Sequence, residues 1–170
     1  MHKYSAMILA LLLASCTFEP GLDKEKFAEL DSASKDLKAA YSVGDHCNIP
    51  GSVSLRLASG AAALEGRTVS KAERDLLAAY KNLAAIAGDA MLLCRSRGQL
   101  AGFRFMPAGR IYVTQELDPL VERYDLAIER HPYKPTGAYV KTIAGDSVLV
   151  IWDRAESVMQ NIDVQLKYNQ

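Results

Sequence analysis

Residues able to do acid–base chemistry are few in this chain of 170 residues, which has three histidines. His46 and His131 lie in segments predicted to be loops beside helix ends, and either imidazole could act as a general base near neutral pH. Such a base also needs a nucleophile or a carboxylate within hydrogen-bond reach, and no motif supplies one beside either histidine. We therefore predict no catalytic residue, no metal-ligand set and no cofactor.

The most specific motif lies near the N-terminus. His2 and Lys3 precede an apolar run, Ala6–Ala14, which is shorter than the roughly 20 residues of a membrane-spanning helix. The run has the length of a signal-peptide core. It ends in Leu13-Ala14-Ser15-Cys16, which resembles the lipobox of bacterial lipoproteins. The resemblance covers only the signal segment, and it implies cleavage before Cys16 and lipid on the Cys16 thiol.

This resemblance divides the chain into a signal peptide (1–15), a lipidated tether (16–21) and a single domain (22–170). It implies an exported protein that is anchored to a bacterial membrane by its lipid. Thr17 follows the cysteine where aspartate would retain a lipoprotein at the inner membrane, so the outer membrane is favoured and the domain is expected to face the periplasm. The alternative is an ordinary secretory signal with a chance cysteine.

Two further cysteines, Cys47 and Cys94, remain once Cys16 carries lipid. Export places them in an oxidising compartment, where thiols tend to pair. We predict one disulfide between them, which would tie the loop after the first helix to the end of the long helix. The alternative is a reactive thiol or metal site that uses Cys47 and His46, although no second ligand pair has zinc-like spacing.

Arginine and aromatic residues are concentrated in one stretch of the chain. Both types are enriched at protein interfaces. The predicted interaction patch consists of Arg95, Arg97, Phe103, Arg104, Phe105, Arg110 and Tyr112. The alternative is that the arginines cap a helix and the aromatic residues lie in the core.

Helical periodicity covers most of the domain. Four segments carry apolar residues at alternating steps of three and four, a pattern typical of helices that pack at small crossing angles. The stripes are Phe27, Leu30, Ser34, Leu37 and Tyr41; Leu76, Tyr80, Leu83, Ala87, Ala90 and Cys94; Leu117, Val121, Tyr124 and Ile128; and Val148, Trp152, Ala155, Met159, Ile162 and Leu166. A small-residue helix is predicted over 52–64, although Gly60 weakens it. These segments predict an all-α fold, a bundle of about four to five helices.

Capping residues predict where several helices begin and end. Ser70 and Glu73 form a capping box at the start of the long helix, and Gly98 is its expected stop. Asp118 is the expected cap of a later helix, with Pro119 at its first position.

One region departs from helical periodicity. Phe103–Phe105 and Ile111–Val113 alternate apolar and polar residues, which predicts a small β-hairpin around 102–114 or an extended loop packed on the helices. The segment 131–137 is predicted to be a break, and 138–145 is ambiguous between strand and short helix.

The net charge of the chain excludes one class of binding partner. The formal net charge is zero, and it becomes −1 when the removal of residues 1–15 takes away Lys3. Nucleic acid is therefore excluded as the main partner, because it requires a basic face. We predict a non-enzymatic structural, assembly or protein-interaction role in the cell envelope, with an envelope protein as partner. The alternatives are a helical-bundle binder of a small ligand and, less favoured, an envelope hydrolase.

Overall fold

The computed structural model describes residues 21–42, 46–49, 51–99, 109–132 and 136–168. Within these ranges the fold is mostly helical and includes a small antiparallel sheet. The helices are α1 (Ala28–Ser42), α2 (Gly51–Ala63), α3 (Lys71–Gln99), α4 (Asp118–Arg123) and α5 (Val148–Tyr168). The strands are β1 (Arg110–Tyr112), β2 (Glu129–Pro132) and β3 (Tyr139–Ala144). Short 3₁₀ turns, Glu25–Phe27 and Gly145–Ser147, precede α1 and α5.

Four of the helices form an antiparallel bundle. Helix α3 packs against α2 and α5, and α1 packs against the same two helices from the other side. Gly60 on α2 lies against Leu30 on α1, so that a Cβ there would come within 2.9 Å of Leu30 Cδ2. Glycine thus permits close approach of these helices, which explains its place in the small-residue helix.

The predicted stripes form the core of this bundle. Phe27, Leu30 and Leu37 on the first stripe are fully buried, as are the central residues of the stripe on α3. Trp152 and Ile162 on α5 are 1% exposed. Ile111 and Ile143 of the sheet and Leu120 and Val121 of α4 belong to the same core cluster.

Helix α3 begins as its capping residues predict, with one difference. The backbone N–H of Glu73 donates to Ser70 Oγ at 3.1 Å, which is the predicted cap. The Glu73 carboxylate accepts from the N–H of Val69 at 2.7 Å, one residue earlier than a standard capping box. Because Val69 precedes the cap, the glutamate also fixes the loop that enters the helix.

Helix α3 also meets the criteria for a membrane span. By length and mean hydropathy, Lys71–Arg97 is the one helix in the described ranges that could cross a membrane. Its apolar stripe is the part that packs in the core, with Leu76, Leu83 and Leu93 fully buried. A central core helix has the same length and composition, so these criteria alone do not place α3 in a bilayer.

Two helix boundaries differ from the sequence-based predictions. Helix α3 continues through Gly98 to Gln99, so Gly98 is not its stop. Helix α4 ends at Arg123, and its N-cap is Leu117 instead of Asp118. Asp125, with a φ of 49°, follows α4 and reverses the chain before Ile128, which is 45% exposed and outside any helix.

The sheet is larger than the predicted hairpin, so the all-α prediction was too narrow. Its strand order is β1-β3-β2, and both pairings are antiparallel. Ile111 pairs with Ile143, so the partner that the structure shows for β1 is β3. The predicted partner Phe103–Phe105 lies outside the described residues. Strand β2 ends inside the segment 131–137 that the sequence predicted to be a break, and overlaps it at His131 and Pro132. Strand β3 resolves the ambiguity at 138–145 in favour of a strand.

The bundle has two distinct ends. The base, which we define as residues 21–27, 66–75 and 164–168, contains the segment that leads into α1, the start of α3 and the end of α5. The sheet end contains the end of α3, the start of α5, the sheet and the loop 46–49. Because α3 has 29 residues, the two ends are separated by about 40 Å at 1.5 Å per residue.

Candidate functional site

A disulfide joins Cys47 to Cys94 at the sheet end, and this pairing was predicted from the sequence. The two sulfurs are 2.01 Å apart and the Cα atoms 5.3 Å apart. The bond links the loop after α1 to the last third of α3. Since the Cys47 thiol is oxidised in this bond, it is not the reactive thiol or metal ligand that was the alternative interpretation.

His46 is held next to this disulfide by its backbone. The indole Nε1–H of Trp152 donates to the His46 carbonyl oxygen at 2.9 Å. The imidazole lies beside the Tyr41 ring, with centroids 5.0 Å apart. Its Nδ1 is buried and has no hydrogen-bond partner among the described residues. A small cavity of about 220 Å³ adjoins it, lined by His46, Cys47, Ile49, Met91, Cys94 and Arg95.

His131 belongs to a separate polar cluster on the sheet. Glu129 and His131 are two residues apart on β2 and therefore share a face of the strand. Glu129 Oε2 lies 3.3 Å from His131 Nε2. The guanidinium of Arg110 on β1 pairs with the same carboxylate oxygen. The hydrogen bond from Arg110 lowers the pKa of Glu129 below its ordinary value. Desolvation acts in the opposite direction, but its effect is smaller. A histidine paired with a carboxylate can act as a general base, but here Arg110 competes for that carboxylate.

The structure separates the members of the predicted interaction patch. Arg95 and Arg97 are exposed on the last turns of α3. Arg110 is 15% exposed and engaged with Glu129, and Tyr112 is half-buried in register with Thr142. Phe103, Arg104 and Phe105 lie outside the described residues. Arg95 lines the cavity beside the disulfide, and β1 packs against α3.

A surface groove between α3, α4 and α5 was not predicted from the sequence. Asp89 accepts hydrogen bonds from Arg123 at 2.5 Å and from the Tyr124 hydroxyl at 2.9 Å. Burial, and then the Asp89 contact, raises the pKa of Tyr124 to about 12. The groove has a volume of about 560 Å³ and is lined by Asn82, Ile86, Arg123, Tyr124, Asp125, Val150, Asp153, Arg154 and Ser157.

The sequence did not single out Glu129 or Trp152 as parts of these sites. Glu129 could have been found from its i, i+2 spacing to His131, had the segment been predicted as a strand. Searches of known family models, curated proteins and solved structures found no match to this chain. Its function must therefore be inferred from the arrangement of its own residues.

Proposed function

We propose that this protein is a lipid-anchored lipoprotein of the bacterial cell envelope, with a non-enzymatic binding or assembly role. In this proposal the sheet end meets an envelope protein while Cys16 carries the lipid. The observation that supports it most directly is the polarity of the bundle. The chain enters the fold at the base, whereas Arg95, Arg97 and Tyr112 lie at the sheet end.

The connection between Cys16 and the fold is short. Leu22 packs against the core, and Lys26 Nζ lies 3.3 Å from the Arg67 carbonyl oxygen, so the described chain is bound to the base from its first residues. Residues 16–20 can span at most about 17 Å. Lipid on Cys16 would therefore keep the base close to the bilayer, and Arg95 lies about 36 Å along α3 from the base.

The exposed arginines of α3 suit a protein partner. Arg95 and Arg97 have no ion-pair partner in the part of the chain that the structure describes. Arginine is enriched at interfaces because its guanidinium combines a planar hydrogen-bonding fork with a weakly hydrated face. Arg110 has a different role, because its pairing with Glu129 joins β1 to β2 across the central strand β3.

The anchor is tested by the mass of the mature protein. We expect protein purified from its native membrane to begin at Cys16 and to carry a diacylglyceryl mass on that residue. Cys16→Ser should leave the chain unprocessed by the lipoprotein signal peptidase. An unmodified Cys16 in membrane-purified protein would refute the anchor.

The partner surface is tested by photo-cross-linking in cells. A cross-linking amino acid at Arg95, Arg97 or Tyr112 should give a discrete protein adduct. The same probe at Ser59, which is exposed on the side of the bundle, is the matched control. The double variant Arg95→Glu/Arg97→Glu should abolish the adduct from Tyr112. Equal adducts from Ser59, or none from the sheet end, would refute the assignment.

Binding of a small ligand is a second candidate, supported by the groove between α3, α4 and α5. Its volume is about 560 Å³, within the range of ligand pockets. Native mass spectrometry of the purified protein would show a bound small molecule if this groove is occupied. Its loss in Val150→Asp, at the groove wall, would assign the molecule to this site.

A further inference from the structure

Three exposed apolar side chains are concentrated at the base. Val69 is 64% exposed, Val164 is 53% exposed and Tyr168 is 70% exposed. Val69 lies in the loop that enters α3, and the other two lie one turn apart on α5, on the same face. Their position at the end where the chain enters the fold distinguishes them from Leu55, which is 68% exposed on the side of the bundle.

Basic side chains surround these apolar residues. The base contains six cations, Lys24, Lys26, Arg67, Lys71, Arg74 and Lys167, and four anions, Asp23, Glu25, Glu73 and Asp75. Three of the anions are engaged within the protein. Glu73 pairs with Lys26, Asp75 pairs with Lys71, and Asp23 accepts from the backbone N–H of Glu25. Each of these ion pairs removes one cation together with one anion, so the formal charge of the base is +2. The acidic residues that border the base, Glu65 and Asp163, pair with Lys81 and Lys38.

Lys167 and Tyr168 are arranged together at the end of α5. The Lys167 ammonium lies 5.2 Å from the centroid of the Tyr168 ring. A tyrosine beside a lysine suits the membrane–water interface, where the ring lies among headgroups and the ammonium reaches phosphate.

We infer that the base is a docking surface for an anionic lipid bilayer. Val69, Val164 and Tyr168 enter the headgroup region, while Arg67 and Lys167 contact lipid phosphates. This inference rests on the proposed lipid anchor, because the five Cα-to-Cα steps from Cys16 to Gly21 hold the base within about 17 Å of the lipid. Docking would fix the direction of the bundle, so that the sheet end points away from the membrane.

The experiment uses the full lipidated protein in vesicles of phosphatidylethanolamine and phosphatidylglycerol. A photo-cross-linking amino acid replaces Val69 or Tyr168 in separate variants, and replaces Leu55 in the matched control of equal exposure. After irradiation, mass spectrometry measures phospholipid adducts. We expect abundant adducts from positions 69 and 168 and few from position 55. Equal yields from all three positions would overturn the inference, because the domain would then move freely on its tether.

Charge reversal tests the basic contribution. Arg67→Glu and Lys167→Glu each change the charge by two, and should each weaken the association of the base with anionic vesicles about thirtyfold. Arg56→Glu, on the side of the bundle where Arg56 pairs with Asp36, should leave the lipid adducts unchanged. Adducts at 69 and 168 that are as abundant in neutral phosphatidylcholine vesicles and unaffected by charge reversal would contradict an anionic surface.

Two other outcomes are distinguishable from these. Cross-links from position 69 or 168 to a second copy or another protein, in place of lipid, would identify a protein occupant and overturn the inference. An unmodified Cys16 in the same mass spectra would refute the proposed anchor. With lipidated Cys16 and equal yields at 55, 69 and 168, only the docking inference fails.

Discussion

Glu73 Oε1 lies 2.6 Å from Lys26 Nζ, and this ion pair joins the segment that enters the fold to the start of its longest helix. The glutamate side chain is 1% exposed and the lysine side chain 18% exposed. The same carboxylate accepts from the N–H of Val69, and the lysine also donates to the Arg67 carbonyl oxygen. One buried carboxylate thus organises the base, on which both the proposed tether and the proposed bilayer contact depend.

Glu73→Ala should strongly destabilise the domain. Removal of one member of a buried ion pair leaves the other charge without its partner, and the cost is about 3 kcal/mol. The control is Asp75→Ala, which removes an exposed i, i+4 pair with Lys71 and should cost about 0.5 kcal/mol or less. Urea unfolding of both variants measures the free energies. Equal losses in the two variants would contradict a special role for Glu73.

The contribution of Glu73 should also depend on pH. Burial alone would raise the pKa of Glu73, but the Lys26 ammonium and the N–H groups of Val69 and Ser70 together lower it below its ordinary value. The stabilisation is therefore present above the unfolded pKa of about 4.3 and is lost as the pH falls through the folded pKa. The difference in urea midpoint between wild type and Glu73→Gln should be widest above about pH 5 and narrow below it. A constant difference would refute the linkage.

Loss of the disulfide should weaken the domain without unfolding it. The bond closes a segment with a sequence separation of 47, for which the chain-entropy estimate is about 4 kcal/mol as an upper figure. Cys47→Ser/Cys94→Ser should keep its helical circular dichroism, because Cys47 and Cys94 pack at the edge of the helical core. Trp152 should still bind the loop through the His46 carbonyl. Thermal unfolding under non-reducing conditions tests this, and a fully unfolded variant would contradict it.

The helices could be predicted from the sequence because burial of a helix face leaves a repeating pattern within one segment. Tyr80 and Trp152, for example, belong to apolar stripes that continue over several helical turns, so their burial could be predicted. The disulfide was predicted from the number of cysteines in a chain that the sequence leads us to expect is exported.

The sheet could not be predicted in the same way. Its strands have three to six residues, too few for a reliable alternating pattern. Strand β2 has the sequence Glu-Arg-His-Pro, in which charge and proline suit an edge strand but resemble a loop. The cluster of Arg110, Glu129 and His131 depends on the register of two strands with β3 between them, which no local pattern specifies.

Tyr80→Phe should stabilise the protein, in contrast to most core substitutions. The Tyr80 side chain is fully buried, and its hydroxyl has no hydrogen-bond partner among the described residues. Burial raises the pKa of Tyr80, with a smaller effect from Asp31 and Asp163, so the phenol stays neutral. Removal of an unsatisfied buried hydroxyl should gain about 1 kcal/mol, while the ring keeps its stacking with Phe27. Urea unfolding checks the sign, and a loss of stability would show that the hydroxyl has a partner in solution.

Two glycine-to-alanine substitutions should have opposite effects. The Gly145 N–H donates to the Gly109 carbonyl oxygen at 2.7 Å, and a Cβ on Gly145 would also lie 2.7 Å from that oxygen. Because the neighbour is backbone, Gly145→Ala must separate the start of β1 from the end of β3, at a cost of about 1–3 kcal/mol. At Gly88, on the exposed side of α3, an added Cβ meets no atom within 4 Å. Gly88→Ala should therefore stabilise the helix by about 0.5–1 kcal/mol, since alanine loses less backbone entropy. Thermal unfolding of both variants measures the contrast, and a stable Gly145→Ala would show that the close approach of β1 and β3 is not required for the fold.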